Sequence, residues 1–207
     1  MVENVKDLVV RGKLKLIEGA VQDALDEGAS ASDILDSMSS AMDEVGRKFQ
    51  ANEIFVPEML VAAKTMQRGV GVLKPLLGGD SIGKYGKYVI GTVQGDLHDI
   101  GKNLVSMMIE SAGFEVIDLG VDVPADKFVE TLQANPDCKI VGLSALLTTT
   151  MDAMRNTVAA IREAGLDVKI MVGGAPITQA FCDEIGADAY TTDAASAAEK
   201  AKELATA

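Results

Sequence analysis

The sequence predicts an α/β chain with an N-terminal four-helix bundle and a C-terminal doubly wound, five-stranded parallel sheet. Three observations lead there. Up to about residue 77, apolar residues recur at spacings of three and four. Between 76 and 87, "LLGGDSIGKYGK" breaks that period with glycines. From residue 87 onward, short apolar runs alternate five times with helical patterns, as βα units of a parallel sheet do.

In the first part, residues 2–10 form a short leading helix. "GKLKLIEGAVQDALDEG" places Leu14, Ile17, Val21 and Leu25 on one stripe, with Gly28 set to end it. "SASDILDSMSSAMDEVGRKFQ" repeats the pattern through Leu35, Met38, Met42, Val45 and Phe49, and Ser30 or Ser32 can cap its start. Pro57 and Glu58 open a third long helix with Met59, Ala63, Met66, Val70 and Leu73 on its buried face. Four amphipathic segments with short turns suggest a bundle. The glycine-rich stretch reads as an interdomain linker, which puts the domains at 1–83 and 84–207.

In the second part the strands are "KYVIGTV", "FEVIDLG", "KIVGLSA", "DVKIMVGG" and the short "ADAYTT". The helices are "DIGKNLVSMMIESAG", "PADKFVETLQAN", "TTTMDAMRNTVAAIREAG", "PITQAFCDEIG" and "AASAAEKAKELATA". Short αβ connections fit right-handed crossovers.

Composition narrows the function. Of 207 residues, 48% are hydrophobic and only 4% aromatic, so small aliphatic side chains pack the core. A net charge of −12 leaves no basic stripe for nucleic acid. No run of about 18 apolar residues suits a membrane span, and there is no basic leader before an apolar run. These features predict a soluble, cytoplasmic protein. Cys138 and Cys182 lack CxxC spacing and read as small buried residues.

In an open parallel sheet, ligands bind beyond the carboxyl ends of the strands. The first strand delivers "QGDLHDIG" there, the third "LSALLTTT", the fourth "VGGAP" and the fifth "TTDAAS". "GDLHDIG" is not GxGxxG, and Lys102 completes no Walker motif. It does hold the only histidine of the chain, His98. Asp96, two residues earlier, can take the proton of one ring nitrogen and leave the other with a free lone pair, the arrangement of a metal-ligating imidazole. One histidine cannot build a zinc site, which needs three or four protein ligands. A metal at His98 must therefore arrive with its other ligands supplied, as a macrocycle supplies them. A loop histidine by itself is equally compatible with a structural role.

Here the motifs resemble a known family. Asp96-x-His98-x-x-Gly101, then Ser144-x-Leu146, then Gly173-Gly174, is similar to the DxHxxG…SxL…GG signature of cobalamin-binding domains. "VGRKFQANEIFVPEML" in the helical part resembles the cap of corrinoid proteins and of the cobalamin module of methionine synthase, and "LGVDVP" at 119–124 fits the same family. The resemblance spans nearly the whole chain and is strongest to the small corrinoid proteins of methyltransferase systems.

The resemblance implies a flavodoxin- or Rossmann-like B12-binding domain at 84–207 beneath a helical cap at 1–83. It implies cobalamin or a related corrinoid, whose cobalt alternates between cob(I)alamin and methylcob(III)alamin. His98 would be the axial metal ligand, Asp96 the carboxylate behind it, and Ser144 the hydroxyl that extends the chain; these three would carry the chemistry. Gly95, Leu97, Asp99, Ile100 and Gly101 would frame the loop under the ring. Leu146, Thr148, Gly173, Gly174 and the backbone of Ala194 would line the slot for the nucleotide tail. Phe55 would cover the methyl-bearing face, although Phe55 and the stripe of Met38, Met42, Met59 and Met66 are equally compatible with bundle packing. The function implied is a methyl carrier: a substrate:corrinoid methyltransferase loads it, and a second methyltransferase passes the methyl group to tetrahydrofolate or coenzyme M. A reductive activator protein is the third partner implied. The 78–86 linker would be the hinge of the cap. The carrier is a component of a multi-protein system rather than a complete enzyme.

Other readings fit less well. A cobalamin-dependent regulator would add a basic DNA-binding domain. The small subunit of an adenosylcobalamin mutase would not carry this cap. A receiver-like signalling module would need an acidic pair after the first strand and an aspartate where Ser144 stands. The residues do not specify the methyl donor, the acceptor, the corrinoid's lower base or the oligomeric state.

Overall fold

The computed structural model describes residues 2–77 and 84–206. Much of the linker and hinge read at 76–87 lies outside the described residues. The chain divides into two compact units, Met1–Lys84 with Ser111–Gly113, and Tyr85–Glu110 with Phe114–Ala207.

The first unit holds four helices: α1 (Val2–Val10), α2 (Ile17–Asp26), α3 (Ala31–Gln50) and α4 (Val56–Leu73). α3 packs on α1 and α4, and α2 on α4. Ser30 caps α3 by accepting from the Asp33 N–H. At the start of α4, the Glu58 carboxylate accepts from the Phe55 N–H, and Pro57 occupies the first turn. The faces differ from the expected ones by small phase shifts. Ile34 rather than Leu35 is buried in α3, and Ala24 rather than Leu25 in α2. α2 begins at Ile17 because residues 12–16 are taken up in turns, with Leu14 N–H on the Gly12 carbonyl.

The second unit carries five parallel strands: β1 (Lys87–Thr92), β2 (Glu115–Asp118), β3 (Cys138–Ser144), β4 (Lys169–Gly173) and β5 (Ala189–Tyr190). Between and after them run α5 (Ile100–Ser111), α6 (Ala125–Ala134), a 3₁₀ turn at Thr148–Thr150 leading into α7 (Met151–Glu163), α8 (Gln179–Ile185) and α9 (Ala194–Thr206). The strand order is β2-β1-β3-β4-β5. Chain order reverses between β1 and β3, and such a switch point opens a crevice beyond the strand ends.

Strand alternation sorts the core. Val89, Val141, Leu143, Ile170 and Val172 face one side with Phe128, Met154, Val158 and Ile161 from α6 and α7. Tyr88 and Ile140 are of the opposite parity, and Tyr88 Oη reaches Met171 Sδ at 3.8 Å on that second face. Burying so much aliphatic surface at about 25 cal/mol per Å² is the main stabilising term, and Gly91 and Gly142 are small because Phe128 and Tyr88 lie across them.

Candidate functional site

The switch point is where the histidine sits. β1 ends at Thr92, and the chain turns through Val93, Gln94 and Gly95 before α5 begins at Ile100. Gly95 takes φ +83°, which lets the turn reverse. The loop that follows presents Asp96, Leu97, His98 and Asp99.

Asp96 is fully buried, and its carboxylate gathers donors from both strand-end loops. Oδ1 accepts from the His98 N–H at 3.0 Å and lies 2.8 Å from His98 Nδ1. Oδ2 accepts from Leu146 N–H at 2.7 Å, Leu147 N–H at 3.3 Å and Thr150 Oγ1 at 2.9 Å. Burial pushes this carboxyl up. The Leu146 and His98 N–H groups, the His98 ring and the Thr150 hydroxyl outweigh that and hold it well below the usual carboxylate range. Asp96 is therefore an ionised acceptor, and the His98 Nδ1 must carry the proton. In the neutral ring, Nε2 then keeps its lone pair. The imidazole is half exposed, with side-chain exposure of 50%, while the carboxylate behind it is sealed.

The hydroxyl on Asp96 belongs to Thr150, not to Ser144, and this corrects the expected chain. Ser144 ends β3 in register with Thr92 on β1 and Gly173 on β4. Its hydroxyl makes no hydrogen bond among the described residues, and its carbonyl accepts from Val93 N–H. Thr150 lies one 3₁₀ turn further on, where the chain has curled back over the β1 loop. A sequence scan stopping at the Ser-x-Leu pair misses it; the signal was the threonine run 148–150, of which the middle and first members stay exposed while Thr150 is buried. Removing the Thr150 hydroxyl should cost about 1.5–2 kcal/mol, the worth of a hydrogen bond to a charged group. Thr150→Val is thus expected to unfold at lower urea than wild type, whereas Ser144→Ala should stay within about 0.5 kcal/mol of it. The reverse order of midpoints would restore the Ser144 assignment.

Thr92, Ser144 and Gly173 form a row of small residues across three adjacent strand ends. A Cβ on Gly173 would find no atom nearer than the Thr191 carbonyl oxygen at 3.8 Å, so the space beside it is open. Gly174, at φ +132°, is different: a Cβ there would collide with the Ala145 carbonyl oxygen. Leu97 is 72% exposed and Ile100 85% exposed, and Leu146 and Leu147 are partly exposed, at 43% and 40%. Four bare aliphatic side chains on two loops tied by one carboxylate make an apolar rim around a hydrogen-bonded imidazole.

The remaining expected residues fall as follows. Gly101 lies in the first turn of α5 with nothing near its Cβ position, and the Asp99 carboxylate accepts from Asn103 Nδ2 at 3.1 Å. Thr148 is exposed in the 3₁₀ turn, and Ala194 is buried at the start of α9. Phe55 belongs to the helical unit, where it precedes α4 and is 64% exposed. No described helix is long and apolar enough to cross a membrane.

Among the described residues no three metal-type side chains cluster. The donor set at this site is one imidazole nitrogen above a buried anion, with apolar side chains beside it. That suits a flat, largely apolar macrocycle that brings its own equatorial ligands, and it does not suit a bare cation.

Comparison with known proteins agrees. Two models described as B12 binding domains match residues 1–74 and 86–201. A dimethylamine corrinoid protein of Methanosarcina acetivorans is 43% identical over 208 residues, which cover 99% of this chain and 95% of that one. The crystal structure of a cobalamin-binding protein from Desulfitobacterium hafniense superposes with TM-score 0.83 at 33% identity, covering 99% of this chain and 98% of that one. A chain of the methanol:cobalamin methyltransferase complex of Methanosarcina barkeri superposes with TM-score 0.88 at 27% identity, covering 99% of this chain and 79% of that one. With a buried aspartate fixing the tautomer of its single histidine at the switch point of a B12-type fold, the chain belongs to the family of B12-binding corrinoid proteins.

Proposed function

We propose that this protein is a methyl carrier, charged by a substrate-specific methyltransferase and discharged by a second one to tetrahydrofolate or coenzyme M. The observation that carries the reading is the free, half-exposed Nε2 of His98 backed by the sealed Asp96 carboxylate. The corrinoid, when bound, supplies a cobalt centre able to accept a methyl group and release it again. The chain's own residues set how that centre is held. His98 would ligate the metal through Nε2, and Asp96 keeps the proton on Nδ1 so that the ligating lone pair stays available. Thr150, Leu146 and Leu147 hold the carboxylate in place. Leu97, Ile100, Leu146 and Leu147 would lie against the macrocycle and keep water from the metal. Ser144, Gly173 and Gly174 would leave room for its nucleotide tail.

The relatives named as dimethylamine corrinoid proteins support a methylamine as methyl donor. The proposed partners are accordingly a methylamine:corrinoid methyltransferase, an acceptor-side methyltransferase and a reductive activator protein.

The test combines spectroscopy and turnover. Wild type labelled with ¹⁵N, reconstituted with unlabelled hydroxocobalamin and reduced to Co(II), should show the two-line splitting of a protein nitrogen rather than the three-line splitting of the cofactor's own benzimidazole, and His98→Ala should lose the two-line pattern while the corrinoid remains detectable. Three-line splitting in the labelled wild type, or two-line splitting retained in the variant, would remove the ligand assignment. Reduced further and mixed with a methylamine methyltransferase and dimethylamine, the wild-type protein should take up one methyl group per corrinoid. If the spectra behave but no methylamine, methanol or methoxyarene system methylates it, the carrier reading falls while the corrinoid assignment stands.

A further inference from the structure

Asp122 stands in the "LGVDVP" stretch, to which no role was attached, and it grips the histidine loop. Its carboxylate Oδ1 accepts from Gly95 N–H at 2.7 Å, and its own N–H donates to the Asp96 carbonyl at 2.9 Å. These are the residue before the DLH stretch and the first residue of it. To make both contacts Asp122 adopts φ +54°, one of two positive-φ non-glycine residues among the described ones. An aspartate tolerates that region better than most residues, at some cost in strain.

The segment around it is itself fixed. Leu119 N–H donates to Ile90 O, Thr92 N–H to Gly120 O, and Val123 N–H to Thr92 O. At its start, Asp118 pairs with the buried Lys102 ammonium in the first turn of α5, and its other oxygen accepts from Gly120 N–H. The segment 118–123 thus touches the His98 loop before the histidine, through Asp122, and after it, through Lys102.

We propose that Asp122 is a positioning residue for metal ligation: it holds the Gly95–Asp96 turn so that the Asp96 carboxylate stays under the His98 ring. The inference rests on the reading of His98 as the ligand. It extends that reading to a residue whose carboxylate meets the loop at a backbone N–H.

Because His98 is the only histidine, imidazole ¹⁵N resonances of the full-length protein report this one ring without assignment. In the apo-protein, the neutral form of the wild-type ring should be a single tautomer with the proton on Nδ1. Asp122→Gly keeps the positive φ without strain and deletes only the carboxylate. It is expected to show mixed tautomers and to bind aquocobalamin about tenfold more weakly, the lower end of what partners behind a metal ligand contribute. Its Co(II) spectrum should contain a fraction lacking nitrogen splitting. Asp122→Asn, which keeps an acceptor oxygen and also tolerates positive φ, should restore the wild-type tautomer and affinity. A wild-type tautomer and affinity in Asp122→Gly overturns the proposal, and so does failure of the Asn rescue in a folded protein, even where the Gly variant does not fold. The ligand reading fails separately: ¹⁵N-labelled wild type itself would then lack the two-line splitting of a protein nitrogen, whereas the apo tautomer would still respond to Asp122.

Discussion

Asp96→Asn is expected to abolish nitrogen ligation by His98 and to destabilise the apo-protein by about 1–3 kcal/mol. The carboxylate receives the His98 and Leu146 N–H groups, the Thr150 hydroxyl and the His98 ring, with Leu147 N–H more distant. An amide offers one acceptor oxygen and turns two hydrogens toward the remaining donors. If the oxygen stays with Leu146 and Thr150, the amide hydrogens face His98 Nδ1. The ring then takes its proton on Nε2, and the lone pair aimed at the metal is gone. A buried donor left without its acceptor costs about 1–3 kcal/mol, which sets the stability loss. The pH dependence distinguishes this account from a packing defect. The folded Asp96 carboxyl titrates below its unfolded value of about 3.9, so its contribution is fully present above that pH. It is lost as pH falls from about 4 toward the lower folded value. The asparagine variant has nothing to titrate at this position. Urea midpoints of wild type and variant should therefore differ most near pH 7 and converge in acid. A gap that stays constant from pH 7 to pH 3 would show that the carboxylate charge is not what holds the loop.

Gly174→Ala is expected to cost about 3 kcal/mol, while its neighbour Gly173→Ala leaves the apo-protein nearly unchanged. At Gly174 an added methyl would meet the Ala145 carbonyl oxygen, and the backbone stands at φ +132°. A side chain in that region and a collision with backbone each contribute at the scale of 1–3 kcal/mol. Ala145 cannot yield freely, because its N–H donates to the Gly173 carbonyl and the next residue, Leu146, supplies a hydrogen bond to Asp96. The strain would be passed to the His98 site, so Gly174→Ala should also disturb the imidazole tautomer. Gly173 has open space beside it and no positive φ, so a methyl there should shift urea stability by less than about 0.5 kcal/mol. It would intrude only on a ligand passing between the strand ends. Gly173→Ala should accordingly weaken corrinoid binding at unchanged apo stability. Equal corrinoid affinity in Gly173→Ala and wild type would place the nucleotide tail elsewhere.

The pairing of Asp96 with His98 was legible because it is local. Two residues apart on a tight turn, a carboxylate and an imidazole meet whatever the rest of the chain does. Helix caps were legible for the same reason: Ser30 and Pro57 act within one turn of the helices they begin. The hydroxyl was not, since Thr150 lies 54 positions from Asp96 and reaches it only through the curl of a 3₁₀ turn. Ser144, closer to the motif, has the wrong parity. It shares a face with Thr92 and Gly173, whereas the loop that meets Asp96 starts after β3 has ended. Asp122 stands in the "LGVDVP" stretch, but its contact was not legible there, because its carboxylate meets a Gly95 N–H that only the fold brings near.

The amino-acid sequence alone determined the alternation of elements, the helix caps, the position of the single imidazole and the aspartate that sets its tautomer. Each depends on residues within a turn or two, where spacing dictates contact. The tertiary structure alone decided the β2-β1-β3-β4-β5 order, the choice of Thr150 over Ser144 and the grip of Asp122 on the loop. Those depend on strand register and on which backbone groups packing brings together, and neither is written in the spacing of side chains.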